Sequence, residues 1–228
     1  MNFYQKLLEI NKELHPLFVP DLDATNTFFL DFSATNRNIQ HLDFSNPSQV
    51  NALVEELLRD NGKKYGYGGY LENRNLYRCS ELFMSQNDEA RNIHLGVDIW
   101  TEAGGQVYSP LKGVVHSFRN NDRIGDYGPT IILEHNLAEC IFYTLYGHLS
   151  QKSLEGLFQG KIIEKGEPFC SIGNFPENGN WPPHLHFQVI GELMGMQGDF
   201  PGVCHCHEKE KFELNCPDPI VFFDKINQ

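Results

Sequence analysis

The sequence predicts a mostly β fold, α+β overall, built on an antiparallel sheet with an N-terminal helical extension. Two observations lead there. From about Arg78 onward, short β-branched and aromatic runs alternate with clusters of Gly, Pro, Asn and Asp, which is how antiparallel strands and their turns read. Ahead of that region, apolar residues recur at helical spacing. The chain has 228 residues, 40% of them hydrophobic and 21% charged. That is an ordinary globular composition, long enough to bury a core.

Residues 3–14 place Phe3, Leu7, Leu8 and Leu14 at spacings that suit a helix. A second helix is predicted from Asn46. Asn46 serves as N-cap, Pro47 suits the first helical position, and Gln49 sits where a capping-box partner belongs. Val50, Leu53, Val54, Leu57 and Leu58 then form one buried face, and Asn61-Gly62 ends the helix. The runs GVVHSF, TIILEH, CIFYTLYGHL, KIIEKG and HLHFQVI predict strands. Gly198 to Pro219, rich in Pro, Cys and charge, reads as a long loop, and DPIVFFDK as a short closing element.

A net charge of −12 argues against nucleic acid or an anionic membrane surface as the main partner, because both need a basic footprint. No apolar run approaches the ~18 residues of a membrane span. The N-terminal stretch is interrupted by Lys6, Glu9, Lys12 and Glu13, so it has no signal-peptide core. Taken literally this predicts a cytoplasmic chain, or a periplasmic or extracellular one exported by an unrecognised route. The six cysteines, Cys79, Cys140, Cys170, Cys204, Cys206 and Cys216, then read as thiols.

The chemistry-bearing residues are histidines. RNIHLGVDIW places His94 and Asp98 four apart, either on one helix face or converging where a loop enters a strand. TLYGHLS puts His148 at the end of a strand run, and WPPHLHFQV supplies His184 and His186. Alternation along a strand sets His184, His186 and Gln188 on one face and Leu185, Phe187 and Val189 on the other. His15, His41, His116 and His135 read as structural or surface residues, the last two facing solvent from strands. Three remote segments that each carry His at a strand end beside Gly or Pro make a joint pattern. A catalytic zinc takes three N or O ligands and keeps one position for water. Acyl chemistry then needs an oxyanion donor and a proton carrier. Four His and one Asp fill those roles, and spacing alone leaves open which of His184 and His186 binds metal.

These motifs resemble the lysostaphin-type, or LytM-like, zinc endopeptidases of bacterial cell-wall peptidoglycan. The likeness rests on His94-Leu-Gly-Val-Asp98, Tyr146-Gly-His148-Leu and His184-Leu-His186-Phe, with VYSPLKGVV and IIEKGEPFCSIGN between them, and covers roughly residues 76–191. It implies an antiparallel β-sheet groove, an N-terminal accessory segment over residues 1–75 and a peptidase domain with its C-terminal loop over 76–228. It also implies His94, Asp98 and His186 as ligands of one catalytic zinc, with His148 and His184 as catalytic histidines. The implied substrate is a peptide, a peptidoglycan stem or cross-link. GGYLENRNLYRCSELF, NGNWPPHLHFQ and GDFPGVC are similar to a less-studied branch whose substrate does not carry over. There Tyr70, Glu72, Arg74 and Arg91 either line the groove or pack. Two other functions stand beside the peptidase: a catalytically silent regulatory or binding module, although all five positions are kept, and a zinc amidohydrolase with a cytoplasmic substrate. CHCHE, Cys204 to Glu208, offers Cys and His for a second metal, but adjacent residues cannot all reach one ion unstrained, so an exposed loop thiol cluster is expected.

Overall fold

The computed structural model describes residues 3–44, 46–75, 83, 84 and 90–227. Cys79 and most of the RCSELF stretch lie outside them. In chain order the regular elements are α1 (Phe3–Glu9), β1 (Thr27–Phe29), α2 (Pro47–Asp60), β2 (Tyr65–Gly68), β3 (Ile93–His94) and β4 (Val97–Trp100). Next come β5 (Gln106–Tyr108), β6 (Gly113–Asn121), β7 (Gly128–Leu137), β8 (Cys140–Gly147) and β9 (Ile162–Ile163). The last are β10 (Pro168–Ser171), β11 (His184–Ile190), β12 (Val203–Cys204) and α3 (Lys209–Asn215). Among the described residues no helix is long and apolar enough to cross a membrane.

Eight strands form one sheet in the order β1-β2-β4-β11-β8-β7-β6-β9, and every pairing but β1 with β2 is antiparallel. The expected mostly β, antiparallel architecture is what forms. β11 lies between β4 and β8, buried at all seven positions, so its alternation serves two buried faces. Leu185, Phe187 and Val189 enter the larger core with Val97, Ile99, Ile131 and Tyr146. On the other face, Trp100 packs with Phe32, Val50 and Val54, while Leu145 and Ile132 pack with Phe200, Phe212 and Cys216. The candidate site lies between those two clusters.

The N-terminal segment is less helical and more integrated than expected. β1 and β2 extend the sheet past β4, and Leu7, Leu17, Phe18, Leu22 and Tyr65 are buried in the same core as β11. α2 begins and ends where its caps predict: the Asn46 side chain accepts from Ser48 N at 3.2 Å, and Gly62 takes φ 62°. Gln49 does not complete a capping box; its Oε1 accepts from Asp43 N at 3.4 Å. The expected long loop over 198–219 contains β12, a 3₁₀ turn at Cys206–Glu208 and α3. Val203 and Cys204 pair with His94 and Ile93, which ties this segment to the first histidine motif. The closing element is a 3₁₀ turn at Pro219–Phe222 that sets Phe222 and Phe223 edge-on against Phe187.

Candidate active site

Strand register brings the remote motifs together. His186 lies opposite Asp98 on one side and Gly147 on the other, and Asp98 lies opposite Gly68. Directly paired residues share a sheet face, so Gly68, Asp98, His186 and Gly147 form one row across the site. The flanking glycines matter sterically. A Cβ on Gly147 would stand 2.6 Å from the Tyr127 ring, which packs against His186 at 5.0 Å between centroids. His94 reaches the row from β3, and a Cβ on Gly96 would meet Phe187 O at 2.7 Å and the His186 ring at 2.8 Å. His94 and Asp98 therefore share neither a helix nor a single strand. Gly96 lets the chain turn between β3 and β4, and both side chains converge there.

Three donor atoms meet. His94 Nε2 is 2.9 Å from His186 Nδ1, and Asp98 Oδ1 is 3.3 Å from each. Among the described residues this is the one group of three or more His, Cys, Asp or Glu side chains whose donors lie within 4.8 Å of one another. CHCHE forms no such cluster: Cys204 is buried on β12, Cys206 is exposed, and the rings of His205 and His207 stack 5.3 Å apart.

The far nitrogens decide what those donors carry. His94 Nδ1 donates to Gly69 O at 2.9 Å, and His186 Nε2 donates to Gln188 Oε1 at 2.9 Å. Gln188 is oriented by its own amide, which donates to Pro201 O at 3.2 Å and to Cys216 Sγ at 3.3 Å. With each outward ring nitrogen donating to an oxygen, a ring that carries a single hydrogen presents a lone pair from its facing nitrogen. Burial, then the Arg74 charge, lowers the His94 pKa to about 4, which keeps that ring neutral. Burial alone would raise the Asp98 carboxyl, but His94, Arg74 and His184 hold it well below the usual carboxylate range. Among the described residues Asp98 Oδ1 is buried without a hydrogen-bond partner. Two lone pairs and one carboxylate oxygen at such distances repel unless a cation sits among them, so the donor set fits a divalent metal with N and O ligands.

The other two histidines stand alongside. The rings of His148 and His184 lie 4.2 Å apart, and His184 Nε2 is 3.7 Å from Asp98 Oδ1. His148 Nδ1 donates to Asn178 O at 2.9 Å and His184 Nδ1 to Pro182 O at 2.7 Å, so in each neutral ring Nε2 is unprotonated. Burial lowers both pKa values. His148 adopts φ 59°, a left-handed conformation costing on the order of 1 kcal/mol for a residue with a side chain. Its N donates to Tyr127 O at 2.8 Å and its O accepts from Gly173 N at 2.9 Å, which pins that turn. A cavity of about 240 Å³ opens over the five residues, with Phe32, Val50 and Trp100 on one wall and Tyr127, Trp181, Phe200 and Val203 among the others.

All five sequence-predicted residues thus lie together. Arg91 lines the cavity, Arg74 lines it and touches Asp98, Glu72 holds Arg74, and Tyr70 packs away from it with its hydroxyl on Cys216 O. Gln188 was readable as the next position on the histidine face, whereas no local pattern marks Gly69, Tyr127 or Asn178.

Residues 92–197 match the model described as Peptidase family M23. That stretch, a little under half of the chain, is similar to a peptidase family M23 domain. It is 28% identical over 128 residues to an L-Ala–D-Glu endopeptidase of Bacillus subtilis (strain 168), a stretch covering 54% of this chain and 37% of that one. The chain therefore spans little more than a third of that relative's length. Among solved structures, a zinc containing peptidase from Vibrio cholerae is 28% identical over 43% of this chain and 27% of its own, with a TM-score of 0.33. Lysostaphin from Staphylococcus simulans is 23% identical over 57% of this chain and 44% of its own, with a TM-score of 0.39. The M23 segment holds all five site residues, while Gly69, Glu72 and Arg74 precede it.

Proposed function

We propose that this chain is a zinc-dependent endopeptidase acting on peptidoglycan-type peptides. His94, Asp98 and His186 would hold one zinc ion, and His148 and His184 would do the proton and oxyanion work. The observation that carries the reading is the convergence of two imidazole nitrogens and one carboxylate oxygen that lacks a hydrogen-bond partner among the described residues, with the far side of each residue already committed. A bound zinc supplies Lewis acidity and lowers the pKa of a coordinated water toward neutrality. His184, whose Nε2 lies 3.7 Å from Asp98 Oδ1 while its Nδ1 donates to Pro182 O, would serve as the proton acceptor beside that cluster. His148, one ring further out, is suited to orient or stabilise the developing oxyanion after gaining a proton. Water-shielding walls of Phe32, Trp100 and Trp181 lower the local dielectric and strengthen these interactions. The M23 match and the relative's action on an L-Ala–D-Glu bond support a peptide substrate of the cell-wall kind.

The test combines metal analysis with turnover of muropeptides and pentaglycine. Purified protein should contain about one equivalent of zinc, as one donor cluster of this kind requires, and chelation should stop hydrolysis. His94→Ala, Asp98→Ala and His186→Ala should lose metal and activity together. His184→Ala and His148→Ala should keep zinc and lose rate, by about 10² to 10⁴ for an acid–base group. Equal zinc loss in all five variants would contradict the division between ligand and catalyst, and zinc without turnover of any peptide would refute the peptidase reading.

A further inference from the structure

We propose that residues 69–74, which precede the M23 segment, form an outer cradle for the metal site, with Arg74 as a positioning residue for Asp98. The inference rests on the reading that His94, Asp98 and His186 hold zinc. The turn is bolted to the first histidine motif through its backbone. Leu71 N donates to His94 O at 2.8 Å, His94 N to Glu72 O at 3.0 Å, and Arg74 N to Asn92 O at 2.8 Å. From that frame Gly69 offers its carbonyl to His94 Nδ1. Gly69 takes φ 102°, and a Cβ there would stand 2.9 Å from His94 Nδ1 and collide with the Arg74 guanidinium. The position requires glycine twice over.

Arg74 acts on the second ligand. Its side chain is 3% exposed, with Nη1 donating to Asp98 Oδ2 at 2.5 Å and Nε to Glu72 Oε2 at 2.5 Å. Glu72 is held in turn, because its Oε1 accepts from Phe32 N at 3.2 Å. The guanidinium lies 5.8 Å from the centroid of Trp100 and 6.0 Å from that of Phe32. The terminal torsion of an Asp side chain is soft, so an untethered carboxylate could turn either oxygen, or both, toward a cation. With Oδ2 taken by Arg74, only Oδ1 faces His94 and His186. Arg74 would therefore confine Asp98 to ligation through Oδ1 alone. The Glu72 carboxylate offsets the guanidinium charge, so the cradle orients Asp98 with little added repulsion toward a cation.

The experiment uses the full chain, with zinc affinity from chelator competition and the visible spectrum of the cobalt-substituted protein as readouts. Arg74→Ala should bind zinc about 10- to 100-fold more weakly, the usual cost of removing an outer-shell partner. Its cobalt spectrum should shift as Asp98 changes its mode of ligation. Arg74→Lys keeps charge and one donor but loses the planar fork, and should fall between Ala and wild type. Glu72→Gln serves if Arg74→Ala does not fold, and should also bind zinc more weakly than wild type. A folded Arg74→Ala or Glu72→Gln protein with wild-type zinc affinity and an unchanged cobalt spectrum overturns the proposal alone. A wild-type chain that takes up neither metal overturns the zinc reading and this proposal with it.

Discussion

His135 shows what burial does to an imidazole outside the candidate site. Its strand position suggested a solvent-facing residue, yet it is only 2% exposed. Its Nδ1 donates to Lys112 O at 3.0 Å, and its Nε2 lies 2.7 Å from Thr144 Oγ1. Burial lowers its pKa to about 4, against 6.5 in an ordinary setting. The unfolded chain thus binds this proton below about pH 6.5, while the folded chain resists until about pH 4, so acid favours unfolding across that window. The share of stability lost over it is on the order of 3 kcal/mol for a shift of this size. In chelated protein, urea midpoints measured between pH 7 and pH 4 should fall steeply. The fall should be shallower in His135→Gln; identical slopes would show that His135 is not held neutral.

At the scale of elements, β11 connects the core to the chemistry. Phe187 is fully buried, 5.1 Å from Phe222, 5.3 Å from Tyr146 and 5.9 Å from Phe223 between ring centroids, and it directly follows His186. Phe187→Ala should cost about 3–5 kcal/mol in stability, as truncating a packed Phe does. It should also weaken zinc binding, because the strand that presents His186 loses its anchor. Denaturant unfolding and chelator competition on the same variant check both parts, and a destabilised variant with intact affinity would uncouple anchor from ligand. The helix α2 is a different case. Its caps and apolar face were legible because helix ends and stripes depend on neighbours within a few residues. The segment over 198–219 was not, because its Pro, Cys and charge content gave no periodicity, and the pairing partners of Val203 and Cys204 lie about 110 residues earlier.

For the whole molecule, the boundary expected after residue 75 does not divide two cores. β1 and β2 belong to the main sheet, and Leu7, Leu17, Phe18, Leu22 and Tyr65 pack with Phe187. Removing residues 1–75 should leave a fragment that unfolds or aggregates, since it would expose this core face and lose Gly69 O and Arg74. Solubility and near-ultraviolet circular dichroism of residues 76–228 would decide; a cooperative fold with wild-type zinc affinity would establish an independent peptidase domain. Composition and spacing sufficed for the fold class, the α2 helix and the central strands, because alternation and caps are written in nearby residues, while the four histidines and Asp98 stood out as candidates through the joint pattern of three separate segments. Which imidazole nitrogen faces the carboxylate, and that Arg74 and Gly69 hold Asp98 and His94 from behind, emerged only on folding. Those facts depend on strand register across β4, β11 and β8 and on a turn docked against β3, which are contacts between residues remote in the chain.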